Sequence, residues 1–308
     1  MTTTCIHPHA GGRPAPSPAH FPHPVTGPHP ATGPRPVTGP RLVTGPRLDL
    51  RAVRIVWHRD MLKTVGEPIR VCTSLLQPLM LLFVLGHGLG SLTRSVAGVP
   101  YQTFVFAGAL VMPMALTSVV SATSIVWDRE LGFLREMLIA PVSRTSVVLG
   151  KCLGAMTIAF AQGLIVLAFA GTAGIPYEPA LMITLLGCMA LIVFTFSCFG
   201  VLVAAHMGSV QSFTGVTQTV MQPLFFLSGS LFPVEHLPGW LTVLNRLDPL
   251  TYAVDPIRRA VLGAVGARSA DYAVTWNGTP VPVWLELLLV LAGGLGMLWA
   301  AVRAFKRL

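Results

Sequence analysis

The sequence predicts an all-α polytopic membrane domain of six transmembrane helices. An interfacial helix precedes the first span, a charged helix-forming loop sits in the middle, and external re-entrant helices precede the last span. Three observations carry that prediction. Of the 308 residues, 53% are hydrophobic and 11% charged, against about 25% charged in an ordinary soluble domain. The apolar residues gather into runs near the roughly 20 residues that a helix needs to cross the hydrocarbon core. The short alternating strands of a membrane barrel are absent from the sequence.

Residues 1–47 form a Pro-, Gly-, Thr- and His-rich tail with hexad repeats starting at Val25, Ala31, Val37 and Val43. Such a composition cannot bury a core, so disorder is expected. No signal-peptide core precedes residue 69, so the tail is expected to stay attached and cytoplasmic. Its histidines have nothing to fix a ligand geometry, and no metal site is expected. The transmembrane domain is assigned to residues 48–308. It opens with an amphipathic stretch from Leu48 to Arg70, where Leu50, Val53, Ile55, Val56, Trp57, Met61, Leu62 and Val65 face Arg51, Arg54, Arg59, Asp60 and Lys63. Basic residues with Trp and Leu beside a span belong in the membrane interface.

The spans follow at about 69–89, 104–126, 146–170, 180–204, 213–232 and 283–302. Six crossings put both ends on one side. That side carries nine basic residues from Arg13 to Arg70, four at Arg129, Arg135, Arg144 and Lys151, and three at Arg303, Lys306 and Arg307. The other side carries five: Arg94, Arg246, Arg258, Arg259 and Arg268. The positive-inside rule therefore places both termini and the loop from Trp127 to Lys151 in the cytoplasm. The net charge of +9 is thus a topology signal; basic residues beside spans, with no aromatic-basic groove, do not indicate a nucleic-acid partner. The five cysteines have no ligand spacing and read as small hydrophobes.

The Trp127–Lys151 loop is the candidate place where the protein receives work. Asp128, Arg129, Glu130, Arg135 and Glu136 interleave with Leu131, Phe133, Leu134, Met137, Leu138 and Ile139 at three- and four-residue spacings, which predicts a short amphipathic helix. Pro141 stops it, and Ser143 is placed to cap the next helix. The pattern fits an interfacial helix resting on lipid headgroups or a docking helix for a soluble partner, and does not choose between them. In the fifth span Gln211, Gln218 and Gln222 share a helix face with Gly215 and Gly229, either as helix-to-helix contacts or as a pathway lining. The external segment from Pro233 to Pro282 is too apolar for a surface loop. A re-entrant or interfacial helix pair broken at Pro233, Pro238, Pro249 and Pro256 accommodates it. Its charges, including Glu235, Asp248, Asp255, Arg246, Arg258 and Arg259, read as solvated, and Glu286 at the start of the last span has no evident partner.

Catalytic patterns are missing. Around Gly150-Lys151 the phosphate-loop pattern fails, because Thr145 stands where a glycine is required and Cys152 where Ser or Thr is required. No nucleophile elbow and no His-Glu-x-x-His occurs. If ATP is used, another polypeptide hydrolyses it.

The run from Glu130 to Leu138 with Ala140, Pro141, Val142, Ser143 and Arg144 resembles the cytoplasmic loop of type 2 ATP-binding-cassette exporter permeases. A second match runs from Pro223 to Pro233 and through Pro238, Gly239 and Trp240 to Asp248, Pro249 and Tyr252. The resemblance covers roughly residues 50–308 and is greatest to the daunorubicin-resistance type of bacterial permease. It implies a plasma-membrane homodimer working with two ATPase subunits in trans, with ATP and magnesium bound on the ATPases and membrane lipid around the permease. It implies that Glu130, Arg135 and Arg144 meet the ATPase as charges, with Leu134, Met137 and Leu138 as apolar anchors between Gly132 and Pro141. Gln211, Gln218 and Gln222 then lie near the dimer interface, and Pro233, Glu235, Pro238, Trp240, Asp248, Pro249 and Tyr252 in half-inserted external helices. The expected cargo is an amphipathic drug, lipid or related compound. An ATP-independent channel or a polytopic lipid-modifying enzyme is the alternative.

Overall fold

The structure is a computed structural model that describes residues 49–92, 98–132, 143–231, 238–267, 273–276 and 279–307. The repeat tail lies outside the described residues, as do 133–142 of the charged loop and 232–237 of the external segment.

Helix α1 (Leu50–Val65) begins where the Asp49 carboxylate accepts the amide N–H groups of Arg51 and Ala52, and ends at Gly66. Pro68 at N1 then opens α2 (Pro68–Met80), as the lack of an amide proton favours. The first span continues through a π turn at Leu81–Leu85 into α3 (Gly86–Leu92). The second span is α4 (Tyr101–Ser121), prolonged past a break at Ala122 by α5 (Thr123–Glu130). After the undescribed loop come α6 (Arg144–Ala168), α7 (Pro179–His206), α8 (Val210–Leu227), α9 (Gly239–Leu247) and α10 (Pro249–Ala264). A two-residue antiparallel hairpin, β1 (Thr275–Trp276) with β2 (Thr279–Pro280), precedes α11 (Val283–Arg307). The sequence reading had no place for this hairpin, whose strands are too short to show a period.

Among the described residues, five segments are long and apolar enough to cross a membrane: Val71–Gly88, Tyr101–Glu130, Arg144–Ala168, Pro179–His206 and Val283–Lys306. The chain is a multi-pass membrane protein. Helix α8 occupies the place of the expected span at 213–232 but does not reach the apolarity of the five, because Gln211, Gln218, Gln222 and three threonines interrupt it. It also stops at Leu227, so Gly229 is not on its face as expected; that glycine has a φ of +66° in the turn beyond.

Helix α4 is the core, with Phe104 to Ala115 buried on every side. It packs against α6, α7 and α10, while α11 lies along α7 and α1 along α6. Small residues let these backbones approach. A Cβ on Gly200 of α7 would come within 2.8 Å of both the Cα and the carbonyl oxygen of Val119 on α4. Gly150 of α6 faces Val56 of α1 in the same way, at 2.8 Å. Helix α1 is therefore apolar on two sides: Ala52, Val53 and Val56 are buried, whereas Leu50, Ile55, Leu62 and Val65 are exposed.

Pro78 explains a contact that ties the first span to the third. It has no amide proton to give to the Ser74 carbonyl one turn earlier, and the side-chain Nε2 of Gln162 on α6 donates to that carbonyl instead, at 2.8 Å. Pro256, expected to break the chain, lies inside α10. That helix is buried from Leu250 to Arg258, and packing on α4, α7 and α11 holds it through the proline.

Candidate coupling site

The flanks of the charged loop are built by ordinary helix-end chemistry. Helix α5 stops because Gly132 takes a φ of +80°, a left-handed conformation that a side chain disfavours. Helix α6 starts at Ser143, whose Oγ accepts the amide of Ser146 at 3.2 Å, the cap that the sequence predicts. Leu134, Arg135, Met137, Leu138 and Pro141 lie between these flanks and outside the described residues.

Three charges on the described flanks each hold the end of another helix. Arg129 donates from Nη1 to Met207 O at 2.7 Å and from Nη2 to Ala205 O at 3.0 Å, closing the C-terminus of α7. Glu130 accepts the Val210 amide at 2.9 Å, at the N-terminus of α8. Arg144 donates to Phe305 O at 2.8 Å, near the C-terminus of α11. The signs follow the helix dipole, with cations at carbonyl ends and an anion at an amide end. Glu130 and Arg144 thus both have intramolecular partners. Arg129 was not singled out from the sequence, since nothing local marks a charge whose partners are carbonyls 76 and 78 residues away.

Behind these flanks lies a buried ion cluster. Lys151 Nζ is 3.1 Å from Asp60 Oδ1, 2.9 Å from Asp128 Oδ2 and 3.0 Å from Ser124 Oγ. Arg59 Nη2 is 2.5 Å from Asp128 Oδ2, and Lys63 Nζ is 3.6 Å from Asp128 Oδ1. Asp60, Asp128 and Lys151 are each buried, and three helices, α1, α5 and α6, meet on them. Lys151, counted above as a loop charge, is two turns inside α6. An isolated Lys within an apolar run was the signal for it.

On α8, Phe213, Thr217, Met221 and Phe225 form a buried stripe at four-residue spacing, which leaves Gln211, Gln218 and Gln222 exposed. In the external segment Pro238 caps α9, whose Trp240 is exposed. Pro249 is the first residue of α10, and Asp248 caps it by accepting the Leu250 amide at 2.8 Å. Burial there pushes the Asp248 carboxyl up to about 7, against the lowering effect of its bonds to Leu250 and Thr251. The Tyr252 hydroxyl donates to Arg246 O at 2.7 Å and accepts from Trp276 Nε1 at 3.1 Å. Pro233 and Glu235 lie outside the described residues.

Two expectations for this region are corrected. Asp248, Asp255 and Arg258 are buried rather than solvated. Glu286 has a partner, Arg259, at 2.9 Å, and the same guanidinium bonds Asp255 and, at 2.7 Å, Val281 O. The sequence could not pair Arg259 with Glu286 because the segment between them folds back through the hairpin.

Comparison with known proteins places this geometry. Residues 51–262 match the model of the ABC-2 type transporter family. The chain is 29% identical over 196 residues to a putative transport permease, ycf38, of Cyanophora paradoxa, covering 62% of this chain and 68% of that one. It is 32% identical over 213 residues to Nodulation protein J of Rhizobium meliloti (strain 1021), covering 68% and 80%. It is 30% identical over 216 residues to the probable multidrug ABC transporter permease YbhR of Escherichia coli (strain K12), covering 67% of this chain but 53% of that relative.

Proposed function

The chain belongs to the ABC-2 type transporter family, and from that premise we propose how this exporter permease takes up the work of ATP hydrolysis. The permease is a membrane transport subunit without catalysis of its own, and the ATPase is a separate subunit of the system. In our reading the ATPase docks on residues 133–142, with Leu134, Met137 and Leu138 as anchors and Arg135 beside them. One observation carries the reading: Arg129, Glu130 and Arg144, at the two ends of that loop, hold the termini of α7, α8 and α11. A displacement of the loop therefore reaches three helices at once, through bonds to their main-chain termini.

The export path follows the exposed Gln211, Gln218 and Gln222 face of α8, against a second copy of the chain. Helix α8 completes six crossings with both termini in the cytoplasm, α9 and α10 are half-inserted from outside, and lipid surrounds the assembly. An amphipathic drug or lipid suits a path with amide and hydroxyl groups set among apolar ones. ATP and magnesium are held by the ATPase.

Affinity recovery of the tagged full-length chain from its native membrane tests the docking. An ATPase carrying a phosphate loop is expected to come with the wild type and to be lost with Leu134→Asp/Leu138→Asp. Equal recovery from both would overturn the docking role. Arg129→Gln is expected to keep the ATPase bound while abolishing its stimulation by transport. Cross-linking of Gln218→Cys to a second copy, absent for Thr184→Cys on α7, tests the paired arrangement.

A further inference from the structure

Near the start of α11, at the end remote from its arginines and lysine, two carboxyl groups converge on one nitrogen. Arg259 Nη2 donates to Asp255 Oδ2 and, at 2.9 Å, to Glu286 Oε1. Nη1 of the same guanidinium holds Val281 O at 2.7 Å, and the Val274 amide adds a second bond to Asp255 Oδ2 at 3.2 Å. Helix α10, helix α11 and the residues flanking the hairpin are thus tied at a single point. It is deeply enclosed: Asp255 is 2% exposed and Glu286 0%.

The far oxygens of the two carboxyls are left over. Asp255 Oδ1 and Glu286 Oε2 are both buried without a hydrogen-bond partner, although the two side chains stand within hydrogen-bonding reach of each other. Two ionised carboxylates offer only lone pairs, so they cannot bond one another, and together they set two negative charges against one buried cation. Arg258 does not supply a second cation. Its Nη2 donates to Gly229 O at 2.5 Å and its guanidinium lies 4.8 Å from the centre of the Phe104 ring, and among the described residues it pairs with neither carboxyl. The other titratable or charged groups at this end are Tyr252 on α10, Arg246 and Asp248 beyond it, Tyr101 on α4, and Cys188 with the exposed Glu178 at the start of α7. The Tyr252 and Tyr101 hydroxyls donate to Arg246 O and Leu231 O, so neither gives its proton to the pair.

We propose that Asp255 and Glu286 bind one proton between them, and that this proton latches α10 to α11. Placed between Asp255 Oδ1 and Glu286 Oε2, it turns one carboxyl into a donor, satisfies both orphan oxygens with one bond and leaves a single negative charge against Arg259. A metal ion does not fit the same place. No group of three or more His, Cys, Asp or Glu gathers among the described residues, and the guanidinium on the other two oxygens repels a second cation. Loss of the proton leaves two like charges facing each other across the contact of α10 with α11, and the junction that holds the hairpin loosens. The proton site stands on this geometry and is independent of the exporter reading.

The test is infrared spectroscopy of the purified full-length permease in nanodiscs at about pH 8, where ordinary carboxyls are ionised. The wild type is expected to show a carboxylic-acid C=O stretch that shifts in heavy water, and Asp248→Asn is expected to keep it. Glu286→Gln and Asp255→Asn should each abolish it, because each supplies an amide N–H where the proton sat and leaves the other carboxyl ionised against Arg259. Both should melt with the wild type at that pH. Absence of the band from the wild type, its loss in Asp248→Asn, or its survival in Asp255→Asn, which marks a proton on Glu286 alone, would overturn the shared proton. So would an amide variant that failed to fold, since the amide reproduces the bond. Hydrogen exchange at the Val281 amide, bonded to Val274 O at 2.8 Å, reads the latch. Corrected for the intrinsic rate, it should quicken about tenfold in the wild type once alkali removes the band, the loss of one buried hydrogen bond, and stay flat in Glu286→Gln. Equal profiles for the two proteins would refute the latch.

Discussion

Lys151→Met would test whether the cluster of α1, α5 and α6 is held by charge. The substitution keeps the length and apolar stem of the side chain and removes an ammonium bonded to two buried carboxylates, at 3.1 and 2.9 Å. Removing one partner of a buried ion pair costs about 3–5 kcal/mol, because the other charge is left without compensation. Here Arg59 still holds Asp128, but its Nη2 is 3.7 Å from Asp60 and its side chain is 35% exposed, so it compensates Asp60 weakly. The lower end of the range, about 3 kcal/mol, is therefore expected. Adding Asp60→Asn removes the stranded charge and should return at least about 1 kcal/mol, giving a non-additive double-mutant cycle. Unfolding of the purified permease in mixed detergent micelles measures both, and hydrogen exchange in α1 reports where the loss falls. A single variant that loses less than about 1 kcal/mol, or a cycle that is additive, would refute the assignment of this contact to charge.

Two further outcomes follow from particular contacts. The Asp248 carboxyl titrates near 7 in the fold against 3.8 when free. A raised folded-state value contributes stability that is full below about 4 and is lost as pH rises through 7, by up to about 4 kcal/mol. Asp248→Asn keeps the cap acceptor and should flatten the stability profile between pH 4.5 and 8, and parallel profiles for the two proteins would contradict this. Gly200→Ala drives a methyl group against the Val119 backbone and should cost about 1–3 kcal/mol as an overpacked contact. Gly187→Ala on the same helix, where a methyl meets nothing within 4 Å, should be neutral or stabilising by helix propensity, about 0.5–1 kcal/mol.

What was legible in the sequence is what depends on neighbours in the chain. The apolar runs mark the long helices, and Ser143 marks a helix start; the break between α1 and α2 at Gly66 and Pro68 was passed over, because Leu48 to Arg70 read as one amphipathic stretch. The family was legible too, because the motifs that carry the resemblance are contiguous. What was not legible depends on partners far along the chain. Asp60 and Lys151 are 91 residues apart, and Arg144 and Phe305 are 161. Lys151 sits near the end of an apolar run, where a long side chain ordinarily reaches water, and only the approach of α1 over Gly150 closes that exit. Arg259 was one of the charges that read as solvated, and only the packing of its helix against α11 gives it Glu286.

The grips of Arg129, Glu130 and Arg144 on their neighbours have a genetic consequence. Each takes hold of a main-chain atom, on Ala205, Met207, Val210 or Phe305, so the residue type at the far end is nearly irrelevant to the bond. Substitutions at those four positions would leave the linkage standing, and compensating pairs of substitutions have no reason to arise between them and the charges that hold them. A mutational scan of this permease would therefore report three sensitive charges with no apparent partners. The way to break the far end is to change the backbone itself, by an amide-to-ester replacement at Val210 that removes the proton Glu130 accepts.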